Sequence, residues 1–207
     1  MSLTIEDLNS IQIDVLKEIG NIGAGNAATA LSKMISKRVD MDVPKVNILE
    51  FKDVADLVGG PEAFVAGIYF KVSGDITGSI MFLIDINSCK FLIDMLVGDV
   101  DFGEIGDQLN EMQISALQEI GNILASSYLA SLSSLTGLNM FVSVPSLTLD
   151  MAGAILSVPV ILFGQVGDKV LLIETDFIEG SNHVKGNFFL IPDEESFEIL
   201  LRSLGVL

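Results

Sequence analysis

The sequence predicts an α/β (α+β) fold: a pseudo-two-fold duplicated unit with a shared, mainly antiparallel six-stranded sheet and two long motif-bearing helices. Three observations carry this expectation. The 207-residue chain contains itself twice, as DVLKEIGNIGA at 14–24 and SALQEIGNILA at 115–125, an offset of 101. The same offset relates Pro44 in MDVPKVNIL to Pro145 in VSVPSLTLD. Further on, SIMFLIDINSCKFLIDMLVG (79–98) aligns with GNFFLIPDEESFEILLRSLG (186–205) at an offset of 107. A period of this size marks one supersecondary unit used twice. The expected organisation is a single domain over 1–207, built from repeats at about 4–98 and 107–205.

Each repeat opens on a long helix, expected at 4–36 and 107–135. In the first, Leu8, Val15, Ile19 and Ile22 gather on one side at 100° per residue, extended by Ile5, Leu16, Ala30 and Met34. A strand of alternating pattern follows at 39–50 and 139–150. A variable stretch comes next, charged in the first copy (FKDVADLVGGPE, 51–62) and apolar in the second (MAGAILSVPVILFGQVG, 151–167). Two more strands are expected at 63–72 with 76–86, and at 169–178 with 183–192, since runs such as VAGIYFKV and SIMFLIDI are rich in β-branched and aromatic residues. The turns SGD (73–75) and EGSN (179–182) make them hairpins. A short helix closes each copy at 87–97 and 193–204, the second starting on acidic residues at Asp193, Glu194 and Glu195. Three strands per copy give six, and the two long helices need a sheet face on which to bury their apolar sides.

Composition narrows the function. Half of the residues are hydrophobic, and 28 acidic side chains face 11 basic ones for a net charge of −17. That balance argues against nucleic acid and against anionic membrane surfaces, both of which select Lys and Arg. It serves solubility, or offers an acidic face to a partner with exposed Lys or Arg. Cys89 is the only cysteine, so an intramolecular disulfide is impossible and a reducing, cytoplasmic compartment is expected. His183 is the only histidine, which removes a His-rich zinc site and restricts any Ser-His-Asp triad to one position. The N-terminal MSLTIEDLNS has neither the basic nor the apolar region of a signal peptide. Residues 120–149 carry no charge, but Ser126, Ser127, Ser131, Ser133, Ser134, Gly137 and Asn139 argue against a membrane span. GAGNAA (23–28) matches a dinucleotide fingerprint in letters only, because no strand precedes it. Gly20, Gly23, Ala24 and Ala27 are read instead as close-packing positions.

The candidate chemistry lies in the polar row of each long helix. Asp14, Glu18, Asn21 and Gly25 fall within a ~60° arc, as do Ser115, Glu119, Asn122 and Ser126. One such row is an ordinary solvated face. Two are harder to attribute to solubility, because Asn is a poor helix former. A carboxamide does not titrate, but its C=O and NH2 can orient a water. Glu can act as a base or pair with a cation. No nucleophile adjoins them, so each pair reads as half of a site completed by a partner. Pro44 and Pro145 supply no reactive group and read as edge-strand or bulge positions.

The spacing Asp14-x3-Glu18-x2-Asn21-x22-Pro44, repeated as Ser115-x3-Glu119-x2-Asn122-x22-Pro145, resembles the CheC/CheX/FliY family of chemotaxis phosphatases. Two copies on one chain are similar to its two-motif members rather than to CheX-like single-motif dimers. The resemblance implies hydrolysis of the phosphoaspartate of the response regulator CheY. Asn21 and Asn122 would hold the attacking water, and Glu18 and Glu119 would pair with the regulator's active-site Lys. Mg2+ would sit on CheY, with no cofactor or metal of this chain's own. The resemblance further implies the receptor deamidase CheD as a partner. We expect its contact on Asp150, Met151, Ala152, Gly153, Ala154, Ile155 and Leu156, in the segment where the copies differ most. A monomer is expected because both motifs are on one chain. The alternative reading is a non-enzymatic module that docks a chemotaxis or flagellar partner and sequesters CheD.

Overall fold

The computed structural model describes residues 8–43, 45–98, 109–163, 169–179 and 182–206. The order is α1 (Ser10–Ile35), β1 (Asp40–Asp42), β2 (Val46–Glu50), α2 (Phe51–Val54), a 3-10 turn (Ala55–Val58), β3 (Phe64–Gly74), β4 (Gly78–Asp85) and α3 (Ile86–Val97). The second repeat follows as α4 (Glu111–Thr136), β5 (Met140–Val142), β6 (Ser146–Met151), α5 (Ala152–Phe163), β7 (Lys169–Glu179), β8 (Asn182–Pro192) and α6 (Glu194–Ser203).

The long helices begin later than their periodicity predicts. Leu8, Asn9, Leu109 and Asn110 are not helical. Asn9 Oδ1 accepts from the Gln12 N–H at 3.0 Å, and Gln12 Oε1 accepts from the Asn9 N–H at 2.8 Å. Asn110 and Gln113 repeat this capping box at the same distances. Each box satisfies two otherwise orphaned donors, and each Asn cap contributes about 1 kcal/mol. Both helices end in left-handed backbone, at Ser36 (φ 55°) and at its repeat equivalent Gly137 (φ 73°).

The sheet is antiparallel at every pairing, in the order β1-β7-β8-β4-β3-β5, with β2 also on β7 and β6 also on β3. Eight segments therefore occupy six strand positions, because each expected first strand is broken in two. In the second repeat the break falls at residues 143–145. Pro145 has no N–H to give to the ladder, so the chain leaves the edge there and rejoins it at Ser146. The expected Pro44 lies outside the described residues.

The strand pairing crosses between the repeats. β1 and β2 pair with β7 of the second copy, whereas β5 and β6 pair with β3 of the first. β4 and β8 join the two hairpins at the centre. The sheet is buried on both faces, which explains the unbroken apolar run Ile80–Ile84 of the central strand β4. Ile68, Phe70, Ile80, Phe82, Phe188 and Leu190 face α1, α3, α4 and α6. Val65, Met81, Leu83, Leu172, Phe189 and Ile191 face the 3-10 turn and the start of α5.

The buried stripe of α1 differs from the expected one. Leu16, Ile19, Gly20, Gly23, Ala24, Ala27 and Leu31 are inside, whereas Ile22 and Met34 are 40% and 41% exposed. Small residues win the inner face because α4 crosses there. A Cβ on Gly23 would lie 2.7 Å from the Tyr128 ring and 3.1 Å from the Tyr128 Cα. Gly20 and Gly121 serve the sheet side, against Val43 and Ile68.

Tyr128 also gives the fold an alkaline limit. Its ring stacks on Phe188 at 4.6 Å and its hydroxyl bonds to Thr175 Oγ1 at 3.1 Å. Burial raises its pKa from 10.0 to about 12, against the opposing hydrogen bond from Thr175. The folded state thus keeps a proton that the unfolded chain releases. Its stabilisation is full below about pH 10 and is lost as pH rises towards 12, by about 3 kcal/mol in all. Urea unfolding at pH 9 and pH 11.5 should show this loss, and Tyr128→Phe should reduce it.

Among the described residues, no helix is long and apolar enough to cross a membrane.

Candidate functional site

The two capping boxes set the phase of the motif helices. With Asn9 and Asn110 as caps, Glu18 and Glu119 are exposed, and Asn21 and Asn122 are half-buried. Asp14 and Ser115 are exposed one turn earlier. The polar rows therefore face outward, as the spacing predicts, and each Asn meets the break in an edge strand.

In the second repeat the structure gathers the motif in one open groove of about 450 Å³. Ser115, Gln118, Glu119 and Asn122 line it from α4, and Val142, Ser143, Val144 and Pro145 from the broken strand. Gln118 Nε2 donates to the Pro145 carbonyl at 3.5 Å. Ser143 anchors the far side: its hydroxyl accepts from the Lys71 N–H at 3.0 Å, and its own N–H donates to the Lys71 carbonyl at 2.9 Å. The Asn122 side chain lines the groove and makes no hydrogen bond among the described residues.

In the first repeat Asn21 is tied down. The Val43 N–H donates to Asn21 Oδ1 at 3.1 Å and is shared with Asp42 Oδ1 at 2.9 Å. Val43 is 1% exposed and packs on Gly20, whereas its equivalent Val144 is 86% exposed. The copies thus hold the same acid–amide pair in different settings, one clamped and one open.

Sequence reasoning did not find Gln118, Ser143 or the Val43 N–H. The x22 spacing to Pro was the available signal, since it places the residues just before each Pro beside the Asn. Glu18, Glu119, Asn21 and Asn122 offer hydrogen bonding and negative charge but no nucleophile. Cys89 is no substitute: it is fully buried, and burial pushes its thiol far above the ordinary range. Among the described residues, no three His, Cys, Asp or Glu side chains gather where they could hold a metal ion.

The segment where the repeats diverge is only partly at the surface. Ala152, Ile155 and Leu156 belong to the second core, and Ile155 Cγ2 would lie 2.8 Å from a Cβ on Gly67. The N–H groups of Ala152 and Gly153 donate to the Ala63 and Pro61 carbonyls at 2.8 and 2.9 Å. Asp150, Met151 and Ala154 are exposed.

Fold and site together define a duplicated α/β protein that presents an acid–amide pair on each of two packed helices. The model of the CheC-like family matches residues 11–48 and 112–149, one block per repeat. The CheY-P phosphatase CheC of Bacillus subtilis (strain 168) is 39% identical over 198 residues, 94% of each chain. The chain belongs to the CheC-like family. Thermotoga maritima FliY shares the fold at a TM-score of 0.73 with 23% identity, over 96% of this chain and 98% of that one. The CheX–CheY–BeF3–Mg2+ complex of Borrelia burgdorferi matches at 0.50 and 17% identity, covering 82% and 95%.

Proposed function

We propose that this chain is a CheY-P phosphatase, with one water-positioning Asn in each repeat. A water oxygen attacks the phosphorus of the regulator's phosphoaspartate, the bond from phosphorus to the carboxylate oxygen breaks, and phosphate leaves. Phosphoryl transfer of this kind asks for positioning and charge stabilisation rather than for a covalent partner. Asn122 and Asn21 enter the regulator's site and hold the water in line, while Glu119 and Glu18 pair with its Lys. Mg2+ belongs to the regulator. The observation that carries this reading is the groove in which Ser115, Glu119, Asn122 and Pro145 meet, open on one side and with no His or Lys among its lining residues to activate a serine. The 39% identity to a CheY-P phosphatase supports it. The test is phosphate loss from phosphorylated CheY of the same organism, with Mg2+, with and without this protein. No acceleration would leave the non-enzymatic docking module.

CheD remains the second proposed partner. The asymmetry of the repeats favours a contact beside α5, and the burial of Ala152, Ile155 and Leu156 restricts it to Asp150, Met151, Gly153 and Ala154. Met151→Glu should weaken CheD binding at least tenfold in a pull-down titration while phosphatase activity persists. Unchanged binding would remove this surface.

A further inference from the structure

The exposed positions of the two motif helices have diverged in most places. Asp14 stands against Ser115, Gly25 against Ser126, Thr29 against Ala130 and Lys33 against Ser134. One row has not. Ile11, Glu18 and Ile22 correspond to Met112, Glu119 and Ile123, and within each helix the three share one face at 100° per residue. Ile11 is 67% exposed and Met112 64%; Ile22 is 40% exposed and Ile123 half-buried. An isolated exposed apolar residue needs no explanation. A large apolar side chain left in water at the same turn of both helices, beside the same Glu, is a different matter. The core does not require either residue there, and the surrounding surface has drifted.

We infer that this apolar–acid–apolar row is the docking strip for the regulator in each repeat, with Ile11 and Met112 as the apolar anchors. The inference rests on the proposed phosphatase reading and deepens it. A receiver domain that brings its phosphoaspartate to Asn21 must lie over Ile22, the next residue, and over Glu18. Continued along the helix it reaches Ile11 about 10 Å further on. The same holds for Asn122, Ile123, Glu119 and Met112. The occupant is therefore a receiver surface that carries a Lys beside its phosphorylated Asp and an apolar patch one to two helical turns away. A second copy of this chain is disfavoured, since two copies would bring −17 against −17. The row supplies affinity, which uniform binding places in KM, while the amides supply the step itself.

The experiment compares the wild-type chain with an Ile11→Gln, Met112→Gln double variant. Two readouts are taken: the KM and kcat for phosphorylated CheY, and the Kd for beryllofluoride-activated, Mg2+-loaded CheY. Both substituted positions are largely in water, so urea unfolding should be unchanged. The expected result is a KM and a Kd raised about tenfold with kcat within twofold, and recovery in Ile11→Leu, Met112→Leu. A Met34→Gln, Leu135→Gln variant is the control, because these equivalent positions, 41% and 50% exposed, lie on another face of the same helices. It should leave both constants unchanged. Unaltered KM and Kd in the row variant would overturn the inference while leaving the phosphatase reading in place. An equal loss in the control, or a row effect confined to self-association in sedimentation, would overturn it too. A wild-type chain that binds activated CheY through the row but releases no phosphate would uphold the strip and overturn the phosphatase reading.

Discussion

Replacing Asn21 and Asn122 together by Ala should return the decay of phosphorylated CheY to its spontaneous rate. The loss of acceleration should be at least about a hundredfold, the scale at which removing one positioned hydrogen-bonding group acts on a chemical step. Neither substitution should disturb the fold, because both side chains are only half-buried and Asn is a weaker helix former than Ala. The single variants should differ. The Asn122 side chain has no hydrogen-bond partner among the described residues, so its oxygen can accept a hydrogen bond from the attacking water and leave the water's lone pair aimed at phosphorus. Asn21 Oδ1 already accepts from the Val43 N–H at 3.1 Å, which leaves it one lone pair, in a fixed orientation, for the same task. Asn122→Ala should therefore remove the larger share. Equal losses would show that the clamp does not handicap Asn21. Full activity in the double variant would sink the amide mechanism altogether.

The second large effect concerns stability. Phe82 is fully buried at the centre of β4, where the hairpin of one repeat meets that of the other. Its ring lies 6.0 Å from Phe177 and 6.5 Å from Phe188, both from the second repeat. Gly186 lies against the same ring: a Cβ there would approach it to 2.4 Å. Phe82→Ala should cost about 3–5 kcal/mol, the sum of lost transfer energy and an uncollapsed cavity. For a chain of this size that lowers the melting temperature by about 6–20 °C. Far-UV circular dichroism should report one transition rather than two, because the outer strands of each repeat are hydrogen-bonded to the other repeat's hairpin. Two separated transitions would show that the repeats melt independently despite that exchange.

How much of this was legible in the sequence follows from the range of the forces involved. The motif helices, both hairpins and the closing helices could be read because their signals are local. Glu18 and Asn21 share an arc by helix geometry alone, and Asp193 marks a helix start by its own chemistry. The capping boxes at Asn9 and Asn110 were equally local and were missed because apolar periodicity ran on past them. The inner face of α1 was legible only in part: Gly20, Gly23, Ala24 and Ala27 read as close-packing positions and are buried, but the apolar stripe was misplaced. Hydrophobicity favoured Ile22 and Met34, but the crossing with α4 at Tyr128 rewards absent volume, so Gly23 and Ala27 went inside. The same competition left Ile22 in water beside Asn21.

The residue pattern by itself determined that there are two acid–amide pairs, which side of each helix carries them, and that a proline follows each at a fixed distance. Only the tertiary structure decided that the first strand of each repeat crosses to the other's hairpin. It also decided that Ala152, Ile155 and Leu156 of α5 enter a second core, and that Asn21 is clamped where Asn122 is open. Those outcomes depend on which surfaces meet across about a hundred residues of chain, and pairing, packing volume and backbone hydrogen bonds at that range leave no periodic trace in the residues that make them.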